Sequence, residues 1–140
     1  MPFERILVAI DGSPASSHAL AVAIELAALT GAELVALAVE GPLPVYAATV
    51  GEVEEVQREK NAFFERLAAQ ARAEAAAAGV ELEVELRAGH AAELIVRVAG
   101  ELDADLIVLG HRGHFLRDHL LGSTANRVAE HAACPVMIVR

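Results

Sequence analysis

The sequence predicts an α/β domain built as one unit: a five-stranded parallel sheet in the order 3-2-1-4-5, with helices on both faces. Three observations carry this. The chain has 140 residues, enough for one core and too few for two. Five short apolar runs recur along it: RILVAI (5–10), ELVALAV (33–39), VELEVEL (80–86), DLIVLG (105–110) and PVMIVR (135–140). Longer segments with apolar residues at helical spacing separate these runs, and that alternation is the rhythm of β-α-β units.

The first run is continuously apolar, as a strand covered on both faces must be. After it, Ser13 offers an N-cap, Pro14 occupies a first-turn position that needs no N–H donor, and Gly31 ends the helix. ELVALAV is the second covered strand. EGPLPVYAATVG (40–51) follows, with two prolines and no period, and reads as a flexible flap. In the second helix Val53, Val56, Phe63, Phe64, Leu67 and Ala71 recur at threes, fours and sevens, which predicts a buried face. VELEVEL alternates apolar and acidic residues, so the third strand belongs towards the sheet edge. Strands one, two and four are then the inner ones. PVMIVR closes the chain and the sheet together as an apolar edge that calls for a cover or for pairing with its own copy.

Composition excludes several classes. A net charge of -9 and a pI near 5.0, with no Lys/Arg cluster, argue against a nucleic-acid partner. No apolar run approaches the ~20 residues of a membrane span. Glu4 and Arg5 interrupt the region where a secretory signal needs a continuous apolar core, and the single cysteine, Cys134, cannot form an internal disulfide. The expectation is a cytoplasmic protein in which Cys134 is structural. There is no internal repeat, low-complexity tail or linker.

The chemistry concentrates in GHRGHFLRDHLLGST, residues 110–124. In open parallel sheets ligands bind beyond the carboxyl ends of strands where the strand order reverses, here between strands one and four. Those ends read AIDGS (9–13) and LGHRG (109–113). Gly110 and Gly113 can turn backbone N–H groups towards one concavity, while Gly122, Ser123 and Thr124 open the last helix, whose N-terminus favours an anion. Arg112 and Arg117 can add charge. This describes a phosphate cradle, although Asp11-Gly12 is also ordinary turn chemistry.

Other nucleotide motifs are absent. There is no G-x-x-x-x-G-K-[ST], and the one lysine, Lys60, lies in the second helix; the first βα turn, DGSPASS, lacks G-x-G-x-x-G. A phosphorylated receiver domain fails for want of an acidic pair after strand one and an acceptor Asp after strand three. His90, His111, His114 and His119 do not form H-x-x-x-H with an acidic third ligand, so they predict no structural metal site and are placed at the pocket mouth or in solvent. A pH-dependent ligand contact from His111 or His114 is a further expectation.

ILVAIDGSPAS at the start, ADLIVLGHRG before the glycine loop and LLGSTANRVAEHAACPVMIVR to the end together resemble the universal stress protein family, specifically its ATP-binding branch. The resemblance covers residues 1–140 and implies a Rossmann-like, adenine nucleotide alpha-hydrolase-like domain. It implies that Gly110, Gly113, Gly122, Ser123 and Thr124, within a G-x2-G-x9-G-[ST] signature, hold the phosphates of ATP. It also places Ala9, Asp11 and Val39 at adenine and ribose, Mg²⁺ or Mn²⁺ beside the phosphates, and a homodimer through the final strand. This chain has eight residues, HFLRDHLL, where the signature has nine. A loop tip can absorb such a deletion, or the deletion can shift the helix start and spoil the cradle.

The first reading is thus an ATP-binding regulatory protein whose protein partner the sequence does not name. With no catalytic lysine, acidic pair or placed base near the phosphates, it is not an enzyme beyond slow hydrolysis. The second is an interaction module that binds no nucleotide and acts through its dimer surface or flap. An adenylyl-transferring enzyme is the third.

Overall fold

The computed structural model describes residues 3–40, 49–111 and 123–140. Positions 41–48 of the expected flap, and Arg112, Gly113, His114, Arg117, His119 and Gly122 of the glycine loop, lie outside the described residues.

The elements run β1 (Arg5–Ile10), α1 (Pro14–Thr30), β2 (Glu33–Glu40), α2 (Val50–Ala77), β3 (Leu82–Ala88), α3 (Ala91–Leu102), β4 (Leu106–Gly110), α4 (Ser123–His131) and β5 (Val136–Val139). The strands form one parallel sheet in the order β3-β2-β1-β4-β5, as expected. Ile6, Val8 and Ile10 of β1 pack into a core layer with α1 and the carboxyl half of α2, while Leu7 belongs to a second layer with α3 and α4. Successive side chains of a strand point to opposite faces, so an inner strand must be apolar at every position.

Local signals set the boundaries. Ser13 caps α1, its Oγ accepting from the Ser16 N–H at 3.2 Å, and Gly31 closes the helix at φ 76°. Thr49 caps α2 through Oγ1, which accepts from the Glu52 N–H at 3.1 Å. Thr49-x-x-Glu52 is the spacing of a capping box, a start signal that lay readable at the end of the proline-rich stretch.

The third strand begins two residues later than VELEVEL suggests. Gly79 (φ 75°) ends α2, its N–H donating to Ala76 O while the Val80 N–H reaches back to Ala75 O at 2.9 Å. This Schellman closure takes Val80 into the helix cap, and pairing with β2 starts at Leu34↔Leu82. β3 is an edge strand, as its alternation indicated.

The face of α2 is the second difference. Ala68, Ala71 and Ala75 are buried, but Val53, Val56, Phe64 and Leu67 are only half-buried and Phe63 is 48% exposed. The buried residues of α2 all lie in its carboxyl half, whereas its amino half reaches the carboxyl end of β2, where Gln57 meets Glu40.

Cys134 is half-buried, and burial together with the Asp105 carboxylate pushes its thiol pKa up. Both effects disfavour the thiolate, which is the reactive form. Ellman's reagent at pH 8 is expected to modify Cys134 in the folded protein more slowly than glutathione; equal or faster reaction would contradict a structural role.

Candidate functional site

The carboxyl ends of β1 and β4 lie side by side, with Val8↔Val108 in register, and β1 leads into α1 on one face while α4 lies on the other. This is the reversal point at which open α/β sheets form their crevice.

On the β1 side the Asp11–Ser16 turn is tightly bonded. The Ser13 N–H donates to Asp11 Oδ1 at 2.8 Å, the Asp11 N–H donates to Ser16 Oγ at 3.1 Å, and Ser16 Oγ donates to Ser13 O at 3.3 Å. Ser13 is 1% exposed, so its hydroxyl serves the helix and not solvent. The Ser16 and Ser17 N–H groups both donate to Ser13, the first to its Oγ and the second to its carbonyl oxygen. Gly12 takes φ 82°, a conformation that L side chains rarely adopt.

On the β4 side Gly110 has a role the cradle argument did not supply. A Cβ there would sit 2.7 Å from the carbonyl carbon and oxygen of Ala15, so glycine is what lets β4 meet the first turn of α1. This contact brings the start of the glycine loop beside the Asp11 turn. His111, expected at the pocket mouth or in solvent, is instead 8% exposed, its N–H donating to Val139 O at 2.7 Å. Its backbone continues the β4–β5 ladder for one residue. His90 is exposed at the N-cap position of α3.

Beyond the ends of β1 and β2 lies a cavity of about 470 Å³. Asp11 and Val39 both line it. Its apolar walls include Ile10, Val56, Phe64 and Leu67, and Glu40, Glu59 and Lys60 bring charge. Glu40 is held in place by Gln57, whose Nε2 donates to Glu40 Oε1 at 3.0 Å. A second concavity, of about 640 Å³, opens at the opposite ends of β2 and β3. Glu33, Glu81 and Glu83 line it, a charge that repels an anionic ligand.

The remaining expected residues are distributed as follows. Ala9 is half-buried and packs towards α3 and α4; Ser123 and Thr124 open α4, with Ser123 exposed and Thr124 half-buried. The cavity thus unites Asp11 and Val39, while Ala9, Gly110, Ser123 and Thr124 stand around the crevice and outside its lining. Sequence reasoning missed Lys60 and Phe63 as lining residues. Their helical spacing marks a face of α2 but carries no sign of where that face leaves the sheet.

Among the described residues no three His, Cys, Asp or Glu side chains group as a metal site, and no helix is long and apolar enough to cross a membrane.

Comparison with known proteins gives one consistent result. The profile of the Universal stress protein family matches residues 2–140. The chain is 40% identical over 142 residues to a Thermus aquaticus protein named "Universal stress protein in QAH/OAS sulfhydrylase 3'region", covering 99% of each chain. Among solved structures, universal stress protein UspA from Lactobacillus plantarum superposes with a TM-score of 0.89 at 27% identity, covering 100% of this chain and 99% of that one. A universal stress protein crystallised in complex with cAMP gives a TM-score of 0.77 at 26% identity, covering 100% and 99%.

Proposed function

The chain belongs to the universal stress protein family, and from that premise we propose that it is a cytoplasmic ATP-binding regulatory module acting as a homodimer. One observation carries the reading: Asp11 and Val39, which the family resemblance assigns to adenine and ribose, line one cavity of about 470 Å³ beyond the carboxyl ends of β1 and β2, next to the reversal between β1 and β4. That volume lies within the ~300–1,000 Å³ of small-molecule sites. The relative crystallised with cAMP supports an adenine nucleotide as the ligand class.

In this reading the base and ribose enter the cavity and the phosphates extend towards the start of α4. Ser123 and Thr124 supply hydroxyl donors there, and the helix dipole, worth roughly half a positive charge, favours the anion. Gly110, Arg112, Gly113 and Gly122 complete the phosphate contacts. Mg²⁺ or Mn²⁺ would be held chiefly by phosphate oxygens and water, as is usual for Mg²⁺ in nucleotide sites. Binding is the activity, and hydrolysis is slow for want of a placed base. The outer edge of β5, which carries Met137 and Ile138 and has β4 on one side only, supports pairing with a second copy.

Denaturing the freshly purified protein and chromatographing the supernatant is expected to release adenine nucleotide. Calorimetric titration of the stripped protein with Mg-ATP, ADP and AMP is expected to saturate, with turnover below ~1 s⁻¹, the low end for enzymes. No nucleotide by either route would overturn the reading and move function to the dimer surface.

A further inference from the structure

We propose that Phe63 of α2 is the stacking wall for the nucleotide base, a contact supplied by a helix outside the three motif stretches. The proposal rests on the nucleotide-binding reading of the same cavity and deepens it.

Four large apolar side chains are left exposed among the described residues: Leu29, Val50, Phe63 and Leu86. Leu29 and Val50 stand apart from the cavity, but Phe63 and Leu86 both line it. Phe3 and Phe64 are half-buried in the core layer, so Phe63 is the one described aromatic ring that stays half in solvent. Adjacent residues on a helix point about 100° apart, so Phe64, packed against the core, turns Phe63 towards the cavity mouth.

The ring has a defined place. Its Cζ would stand 3.0 Å from a Cβ at Gly12, so the tip of Phe63 lies on the bare backbone of the turn that carries Asp11. The aromatic ring and the Asp11 carboxylate, one of the groups the resemblance places at adenine and ribose, therefore meet at the same rim. A nucleobase has an apolar face and a polar edge, and this cavity offers an aromatic face beside Ile10, Val56 and Leu67 with Glu40 and Lys60 at its polar positions. A purine is the ligand part that satisfies both. Stacking is tolerant of base identity, so Phe63 supplies affinity for the base and leaves its identity to the polar groups.

The test compares wild type, Phe63→Ala and Phe63→Trp by calorimetry with ATP and AMP, with thermal melts as the control for folding. Phe63→Ala is expected to lose roughly tenfold in affinity, by the same factor for ATP and AMP because the contact is to the base, at an unchanged melting midpoint. The chain has no tryptophan, so Phe63→Trp places a single indole in the cavity. Its fluorescence is expected to be quenched on adding ATP and unchanged by tripolyphosphate. If wild type binds ATP while Phe63→Ala binds within twofold of it and Phe63→Trp shows no quenching, the stacking proposal falls and the nucleotide reading stands. If wild type binds neither ATP nor AMP, both fall.

Discussion

Gly110→Ala is expected to lower the thermal unfolding midpoint by roughly 10 °C, taking about 3 kcal/mol for overpacking and about 3 °C per kcal/mol for a domain of this length. The added methyl would stand 2.7 Å from two backbone atoms of Ala15 and 2.9 Å from its Cβ. Backbone atoms cannot rotate aside, so β4 and the first turn of α1 would have to separate. Ala15→Gly in the same chain removes only the Cβ contact and is expected to restore a minor part of the loss. Thermal melts of the single and double variants, followed by circular dichroism, check this. An unchanged midpoint for Gly110→Ala would show that α1 does not rest on the end of β4.

The second large effect is on affinity, at Asp11. Its Oδ1 accepts from the Ser13 N–H at 2.8 Å, so the side chain holds the turn whether or not a ligand is present. A carboxylate has two oxygens and about four acceptor positions, enough to serve a turn and a ribose together. Asp11→Asn keeps an oxygen for the turn and removes the charge; hydrogen bonds to charged groups contribute about 1.5–3 kcal/mol against about 1 kcal/mol for neutral ones. ATP affinity is expected to fall about tenfold in Asp11→Asn at an unchanged melting midpoint. Asp11→Ala loses both contacts, so its affinity is expected to fall further, by about a hundredfold, with about 1 kcal/mol of stability. Equal affinity in Asp11→Asn and wild type would leave Asp11 with the turn alone.

These two residues mark how far the sequence could be read. Gly110 is legible as a special position whose spacing suggests backbone N–H groups turned towards a phosphate, and the structure adds a steric reason that the spacing does not carry. That the first turn of α1 leaves no room for a Cβ on a residue about a hundred positions away is not written in either segment. At Asp11 the sequence fits both turn chemistry and a ligand contact, and the hydrogen bond from Ser13 supports the turn without excluding the ligand. The Thr49-x-x-Glu52 cap is written in the sequence, but it falls inside a stretch whose two prolines and lack of period read as a loop. Val80 falls in the expected strand but stands outside β3 for a physical reason: its apolar side chain fits a strand, but its N–H closes α2.

The sequence by itself determined the five strands, their order, the caps of α1 and the crevice between β1 and β4. These follow from period, burial and local capping, which act over a few residues and leave their mark in the residues themselves. Tertiary structure alone decided the rest. It set α2 against the carboxyl ends of β1 and β2, so that Phe63 and Lys60 meet Asp11 and Val39 across one cavity. It also buried His111 and made Gly110 the contact between β4 and α1. Such meetings depend on where a helix of 28 residues runs relative to the ends of the strands it covers. A helical period fixes which side of that helix is apolar, but not how far along its length the sheet extends beneath it.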